Sequence, residues 1–426
     1  MKHYRFGLWI VAACAALPVH AENFKDYPDL PPLNMVVKSM ADNPMTLAAQ
    51  AGIKVEQANL SRLEAGPYEY SVRLGALQRS VRTDPSQRFN EWDVALERPF
   101  RLPGKAAMDA EIGTQGVAQA RLAHGDALHE AGRGLLKAWF AWVRERYQVK
   151  QWQEQVDVLK NQLAIVNKRI KAGDAPKLEG LLSEAAVAQA ESSLQQARLR
   201  ERVAANDLTQ RFPGIVTPEK VQLTTPTPLP NDLLYWREQV LQHNHELGLA
   251  RAEVKRWQLM ASRTQADQMP DPSLGIRYAN ERGGEERLVG LSISMPLPGQ
   301  ARRAATESVQ AHGEVVVQKE AMVLAKVSAE IANNYASARA SFESWQKSRE
   351  AADRMKSNAQ LMSRAYSLGE ANLWDTLIAE RQSIESGLGA TLAQIEAAES
   401  RYRLMLDAHQ LWPIDVDEDD EWHQHP

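Results

Sequence analysis

Four short stretches of the sequence alternate between apolar and polar residues. Their apolar positions are Tyr68, Tyr70, Val72 and Leu74; Trp92, Val94 and Leu96; Leu274, Ile276 and Tyr278; and Val289, Leu291, Ile293 and Met295. A period of two is typical of β-strands with one apolar and one polar face. The polar segments at 82–88 and 281–286 then predict two β-hairpins, the second of which turns at Gly283 and Gly284.

The predicted strands have the length of strands that cross a membrane. Each spans about 10 residues, as a tilted membrane strand does. Four strands of one chain leave two edges unpaired, and pairing with copies from other subunits would remove both edges. A soluble sheet resting on a helical body is also compatible with this pattern, so both interpretations remain open on the alternation alone.

Two long stretches without proline, 105–171 and 300–368, follow the alternating segments. The first contains apolar residues spaced by sevens in two neighbouring registers, namely Val149, Val156, Leu163 and Ile170, and Trp152, Leu159 and Val166. This spacing is typical of a coiled-coil seam. A continuous helix of this length would extend about 100 Å, at about 1.5 Å per residue.

Small residues mark the expected contacts between helices. The stretches 183–205 and 386–398 are rich in alanine and serine, so they predict returning helices that pack closely against the long ones. The first long helix also contains Gly113, Gly116, Gly125, Gly132 and Gly134. Glycine lowers helix propensity, but it lets a neighbouring helix approach.

The sequence repeats once, with an offset of about 200 residues. Each half has a helix (34–65 or 231–265), two alternating stretches, a Leu-Pro-Gly turn, a long helix, a Gly-acid turn and a second long helix. The Leu-Pro-Gly turns contain Pro103 and Gly104, and Pro298 and Gly299. We therefore divide the chain into a signal peptide (1–21), a first repeat (22–225), a second repeat (226–412) and a disordered tail (413–426).

The N terminus has the features of a bacterial export signal. Lys2 and Arg5 precede an apolar core at 6–16, and residues 19–21 form a small-x-small cleavage pattern. The only cysteine, Cys14, lies inside this segment. It is either removed with the signal or acylated as the first residue of a lipoprotein. Nothing downstream is apolar enough over about 20 residues to predict a spanning helix.

Composition and charge narrow the classes of function. The chain has 426 residues and a formal net charge of -4, without a block of lysine or arginine. Such a balance argues against nucleic acid as a partner, because that binding depends on neutralising phosphates. The sequence contains neither the G-x-x-x-x-G-K-[ST] nucleotide motif nor the G-x-S-x-G nucleophile motif. We therefore expect neither an enzyme nor a bound cofactor.

Two groups of histidines raise the question of metal binding. His243 and His245 stand at a predicted helix start, but the zinc-protease pattern would need a histidine at Leu249. We therefore expect a surface pair without a metal. In the C-terminal run, His423 and His425 follow several acidic residues, and carboxylates with imidazoles bind divalent cations weakly. A solubilising tail is the alternative interpretation of that run.

Two motifs resemble those of the TolC-like outer-membrane efflux proteins, and the resemblance is closest to the heavy-metal, CzcC-like branch. One is the strand-to-helix turn RPFRLPGK at 98–105, and the other is the helix-hairpin tip AGDAPKLE at 172–179. The tip has a second copy, LGEANLWD, at 368–375. The resemblance extends over residues 30–412 and rests on the order, duplication and spacing of these motifs.

The resemblance implies a mainly α fold with a membrane β-barrel portion. Three protomers would each give four strands to a twelve-stranded barrel in the outer membrane, in contact with its lipid. Their long helical hairpins would form a periplasmic α-barrel. This homotrimer would be a passive duct, served by a periplasmic adaptor (membrane fusion) protein and an inner-membrane RND pump. Divalent heavy-metal cations are the expected substrate, and other toxic small molecules are the alternative.

The resemblance also implies two sites at the helical tips. The turns that would dock the adaptor contain Gly173, Asp174 and Leu178 in the first repeat, and Gly369, Glu370 and Leu373 in the second. Asp375 would line the narrow end of the pore, with Glu179 as its counterpart in the first repeat. A ring of carboxylates favours cations. An ordinary solvated acid at a helix start is the alternative for both residues.

The backbone conformation and the dipole expected at helix ends give independent expectations for the same turns. Gly173 and Gly369 each follow a long helix, where a left-handed residue commonly ends the helix. Asp174 and Glu370 would then lie where the next helix begins, and a negative charge there interacts favourably with the helix dipole.

A second class of function remains open, namely a periplasmic coiled-coil protein that acts as an adaptor or tether without a pore. The alternating strands distinguish the two classes. They would face lipid in a channel, whereas they would form a local patch in a tether.

Overall fold

The computed structural model describes residues 26–82 and 84–414. The predicted signal peptide, Cys14, His423 and His425 lie outside the described residues. The part of the predicted tail that is described ends at Ile414, whose side chain is 1% exposed and belongs to the core. Eight α-helices and four β-strands form within the described ranges.

The two halves contain the same elements in the same order. The first half has α1 (Leu33–Ala41), α2 (Pro44–Ala65), β1 (Ser71–Val81), β2 (Gln87–Pro99), α3 (Lys105–Ala172) and α4 (Lys177–Arg211). The second has α5 (Leu233–His243), α6 (His245–Ala266), β3 (Ser273–Glu281), β4 (Glu286–Ser294), α7 (Gln300–Ser367) and α8 (Leu373–Asp407). Helices α3 and α7 each have 68 residues, and α4 and α8 each have 35.

The heptad seam of α3 packs against α4, as its spacing predicts. Val156 and Leu159 of α3 are buried with Val187, Ala190 and Leu194 of α4. Small residues on α4 allow this close packing, and Ala197 is fully buried. In the described part of the chain, no helix combines the length and apolar character needed to cross a membrane.

The largest core lies halfway along α3. There Trp139 and Phe140 pack with Met40 of α1, Phe212 after α4 and Leu406 of α8. Elements from both halves therefore share one apolar core, which holds the two helical hairpins side by side.

The four strands form one antiparallel sheet in the order β1-β2-β3-β4. Strands β2 and β3 come from different halves, so their pairing joins the two repeats. The ends of the strands differ slightly from the ends of the alternating stretches of the sequence, because Tyr68 and Tyr70 precede β1 and Met295 follows β4. The carbonyl of Tyr68 accepts its hydrogen bond from the side chain of Arg98 on β2 (3.1 Å).

Candidate functional site

One face of the sheet is apolar and exposed. The register aligns apolar side chains across all four strands, in the rows Val72, Leu96, Ile276 and Leu291, and Leu74, Val94, Tyr278 and Val289. Leu291 and Ile293 are each 78% exposed. A continuous apolar surface of this kind marks a face that another apolar phase or another protein covers.

The opposite face of the same strands carries ion pairs. These are Arg73 with Glu97 at 3.4 Å, Arg277 with Asp93 at 3.1 Å, Arg79 with Glu91 at 3.1 Å, and Arg79 with Glu281 at 2.8 Å. The sheet thus separates an apolar surface from a charged one. That arrangement is the one found in barrels with a polar lumen and a lipid-facing outside.

The two Leu-Pro-Gly turns have different backbone conformations. Gly104, after Pro103, is left-handed with φ 87°, whereas Gly299, after Pro298, is extended with φ -122°. The next residue differs as well. It is a buried lysine in the first turn, and Gln300, a neutral and exposed residue, in the second.

The buried lysine, Lys105, anchors the first turn to the second repeat. Its ammonium group is 3.0 Å from a carboxylate oxygen of Asp271 and 2.9 Å from one of Asp267. Burial alone would raise the pKa of Asp271, but hydrogen bonds from Tyr68, from the amide of Leu102 and from Lys105 lower that pKa below its ordinary value. This ion cluster fixes the point where the strands meet the long helices.

The turns at the helical tips have the predicted left-handed glycines. Gly173 has φ 83° and Gly369 has φ 81°. The amide of Asp174 donates to the carbonyl of Arg169 (2.9 Å), and the second tip has the equivalent bond from Glu370. These bonds close the last turns of α3 and α7 in the manner of a Schellman motif.

The acids next to these glycines do not lie at helix starts, contrary to our expectation. Helices α4 and α8 begin three residues beyond Asp174 and Glu370. Both acids belong instead to the closing turn of the preceding helix, because their amides are needed there. The acids in the first turns of α4 and α8 are Glu179 and Asp375.

Asp375 is exposed and held in place by the helix cap. Its amide donates to the side-chain oxygen of Asn372 (2.8 Å), and the amide group of Asn372 donates back to its carboxylate (2.7 Å). This reciprocal cap fixes the position of the carboxylate at the tip surface.

Glu179 contacts the other hairpin. The hydroxyl of Tyr366, near the end of α7, donates to its carboxylate at 3.2 Å. The guanidinium of Arg169 lies over the Tyr366 ring, 4.8 Å from its centre. Burial, reinforced by the negative charge of Glu179, raises the pKa of Tyr366. Nothing in the sequence pattern marked Tyr366, because its role depends on the adjacent hairpin.

The apolar residues at the tips divide between core and surface. Leu373 is only 3% exposed and packs with Val166 and Tyr366. It is therefore not available as the docking residue that we expected. Leu178 is 63% exposed, and Trp374, which no sequence pattern singled out, is 59% exposed.

The histidine pair His243 and His245 is not on an open surface, contrary to our expectation. Both side chains are partly buried, and their rings face His409. Within residues 26–82 and 84–414, no group of three or more His, Cys, Asp or Glu is placed to hold a metal ion.

Several outer-membrane channels of known structure are similar to this fold. The chain matches the Campylobacter jejuni CmeC outer membrane channel with a TM-score of 0.71 and 13% identity, covering 90% of this chain and 86% of that one. It matches the CusC transmembrane channel with a TM-score of 0.74 and 14% identity, covering 89% and 91%. It matches the open Neisseria gonorrhoeae MtrE channel with a TM-score of 0.71 and 13% identity, covering 89% of each.

The sequence matches no protein-family model and has no significant match among curated proteins. The structural likeness therefore bears on the fold. Long duplicated helical hairpins with four strands per protomer were expected from the sequence, and this fold is confirmed. Assignment to the heavy-metal branch stays a prediction.

Proposed function

We propose that the chain is a subunit of a bacterial outer-membrane efflux channel. The observation that carries the proposal is the four-stranded sheet, which has an apolar exposed face, a charged face and two edge strands, β1 and β4. The fold shared with outer-membrane channels supports the same function.

Three copies close the sheet into a barrel. Neighbouring strands are antiparallel throughout, so β4 of one copy runs antiparallel to β1 of the next. Three copies then give a closed barrel of twelve strands, an even number as in other outer-membrane barrels. The apolar rows would face lipid and the ion pairs would line the lumen. Closure also removes both unpaired edges, which an outer membrane does not tolerate.

The helical hairpins would extend from this barrel into the periplasm. Their 68-residue helices span about 100 Å, at about 1.5 Å per residue. The exposed tip residues Leu178 and Trp374 would dock a periplasmic adaptor beside the turns at Gly173 and Gly369. An inner-membrane RND pump would supply the energy, so the duct itself would be passive and not an enzyme.

The proposed substrate is divalent heavy-metal cations, with other toxic small molecules as the alternative. The support is the exposed, fixed carboxylate of Asp375 at the tip, which three copies would arrange as a ring. Rings of carboxylates favour cations in pores. Glu179 would contribute less to such a ring, because its carboxylate is bonded to Tyr366.

Replacing one lipid-facing leucine tests the barrel. Leu291→Arg places a charge in the middle of an apolar row, and such a change destabilises membrane barrels by about 2–4 kcal/mol at mid-depth. Ser292→Arg is the matched control, because it adds the same charge to the opposite face of the same strand. We expect Ser292→Arg, but not Leu291→Arg, to be recovered from the outer-membrane fraction as a trimer when the sample is not boiled.

Equal assembly of the two variants would contradict the barrel. A wild-type protein that is recovered from the periplasm as a water-soluble monomer or dimer would do so as well. Either result would favour the alternative of a coiled-coil adaptor or tether without a pore.

A further inference from the structure

Four histidines from three separate segments meet between the two repeats. His129 lies on α3, His243 and His245 lie at the junction of α5 and α6, and His409 follows α8. The ring centre of His409 is 5.5 Å from that of His129, 5.4 Å from that of His243 and 5.1 Å from that of His245. The His409 ring is tilted by 31–39° to each of these three rings, whereas the rings of His129 and His245 meet edge to face, 6.3 Å apart and at 64°. We call these four residues the histidine cluster.

The backbone is adapted to this arrangement at two points. A Cβ atom on Gly125 of α3 would lie 2.6 Å from a ring carbon of His245, so the ring reaches α3 only because this residue is glycine. His409 is left-handed with φ 56°, a conformation that is uncommon outside glycine. Its amide donates to the carbonyl of Leu406 (3.0 Å), so the end of α8 fixes the position of the ring.

One buried carboxylate, that of Asp407, touches the cluster. It lies 3.5 Å from Nε2 of His129. The same carboxylate accepts hydrogen bonds from Arg133 (2.8 Å), Asn334 (2.9 Å) and Arg403 (3.3 Å). Two permanent positive charges therefore already share it, and little negative charge remains to stabilise protonated histidines.

Two of the surrounding acids, Glu130 and Glu246, are engaged in ion pairs of their own. The further charged groups around the cluster are Asp126 and Glu130 on α3, Glu246 on α6, and Lys326 and Glu330 on α7. Glu130 pairs with Arg133 at 2.6 Å, and Glu246 pairs with Lys326 at 2.8 Å. Burial, with the charges of Glu130 and Glu246, raises the pKa of Asp126, so acid also removes its negative charge early.

We propose that the histidine cluster is an acid-sensitive joint between the two repeats. At neutral pH the uncharged ring of His129 packs against the ring of His409 and helps to hold the α5–α6 junction and the end of α8 against α3. When the pH falls, protonation of His129 places a positive charge among the packed rings beside Arg133 and Arg403, and the segments separate. This inference does not depend on whether the chain conducts ions.

The direction of the pH effect follows from His129. Burial, together with the charge of Arg133, lowers the pKa of His129 to about 2. An unfolded or locally opened segment would bind the proton near pH 6.5. The closed state is therefore fully stable above about pH 6.5 and loses stability as the pH falls below it. For one such histidine, the opening equilibrium constant rises about thirtyfold between about pH 7.5 and about pH 5.

Hydrogen exchange followed by mass spectrometry tests the joint in the full-length protein in detergent. After correction for the intrinsic exchange rate, protection of peptides covering 124–136 and 240–250 is expected to fall about thirtyfold between about pH 7.5 and about pH 5. His129→Gln and His409→Gln should each reduce this fall. The matched control is His312→Gln, because His312 stacks on Trp257 outside the cluster, and it should leave the fall unchanged.

Three results would overturn the joint. One is constant protection of these peptides in the wild-type protein across the pH range. The second is an unchanged fall in both cluster variants, and if one variant does not fold, the other decides. The third concerns Zn²⁺ added at neutral pH. If Zn²⁺ increased protection of these peptides in the wild-type protein but not in His129→Gln, the cluster would be a metal site.

Discussion

At the scale of single residues, glycine sets how closely the helices approach. Gly113 of α3 faces Leu60 of α2, and a Cβ atom there would lie 2.9 Å from the Leu60 Cα atom. Because that atom belongs to the backbone, α2 itself would have to move. We expect Gly113→Ala to destabilise the protein by about 1–3 kcal/mol. The midpoint of thermal unfolding, followed by circular dichroism, measures this loss.

A second helical glycine provides the control for Gly113. Among the described residues, no atom outside the adjacent turns of α7 lies within 4 Å of the Cβ position of Gly313. Gly313→Ala should therefore show only the gain in helix propensity, up to about 1 kcal/mol. If both substitutions shifted the midpoint in the same direction, close approach at Gly113 would not be the reason for its glycine.

At the scale of elements, the junction between strands and helices depends on Lys105. Its side chain is 3% exposed, and Lys105→Met would leave Asp271 without its buried cation. We expect a loss of about 3 kcal/mol, as for other buried ion pairs that lose one partner. Lys160→Met is the control, because Lys160 pairs with Glu191 while both remain about half exposed. Surface ion pairs contribute at most about 1 kcal/mol to stability, so Lys160→Met should have a much smaller effect. Similar midpoints of denaturant unfolding for the two variants would count against Lys105 as an anchor of this junction.

The helices and strands were predictable from the sequence because each hydrophobic pattern depends on a local physical requirement. Alternation such as that around Leu291 requires only that one face of a strand be apolar, and the heptads around Val156 require only a partner helix. The site was less predictable. The sequence around the two tip turns does not say that Leu373 is buried while Leu178 is exposed. The burial of His245 depends on Gly125 and on a ring from the far end of the chain, and no local pattern contains either.

At the scale of the whole molecule, the contact between the two tips would set the width of the periplasmic opening of the proposed channel. Val166 and Ile170 of the first hairpin pack with Leu373 of the second. The hydrogen bond between Tyr366 and Glu179 is a polar contact across the same boundary. An apolar contact alone permits the tips to slide, whereas a bond to a carboxylate fixes their register.

Removing that hydroxyl should make the proposed channel open more often. Tyr366→Phe retains the ring and its packing but loses a hydrogen bond to a charged group, worth about 1.5–3 kcal/mol. In planar bilayers we expect a higher open fraction for Tyr366→Phe than for the wild type. Tyr235→Phe is the control, since the hydroxyl of Tyr235 accepts a bond from Gln410 far from the tips. Equal open fractions in all three proteins would mean that the bond does not restrain the tips.

The same recordings distinguish restraint from charge at the proposed constriction. Asp375→Asn keeps the shape of the side chain and removes its negative charge, so block by divalent cations should weaken while the open fraction stays at the wild-type level. Tyr366→Phe should do the reverse, because it leaves every carboxylate in place. If Asp375→Asn left the block unchanged, Asp375 would not line the pore, and the proposed preference for metal cations would lose its support in this chain.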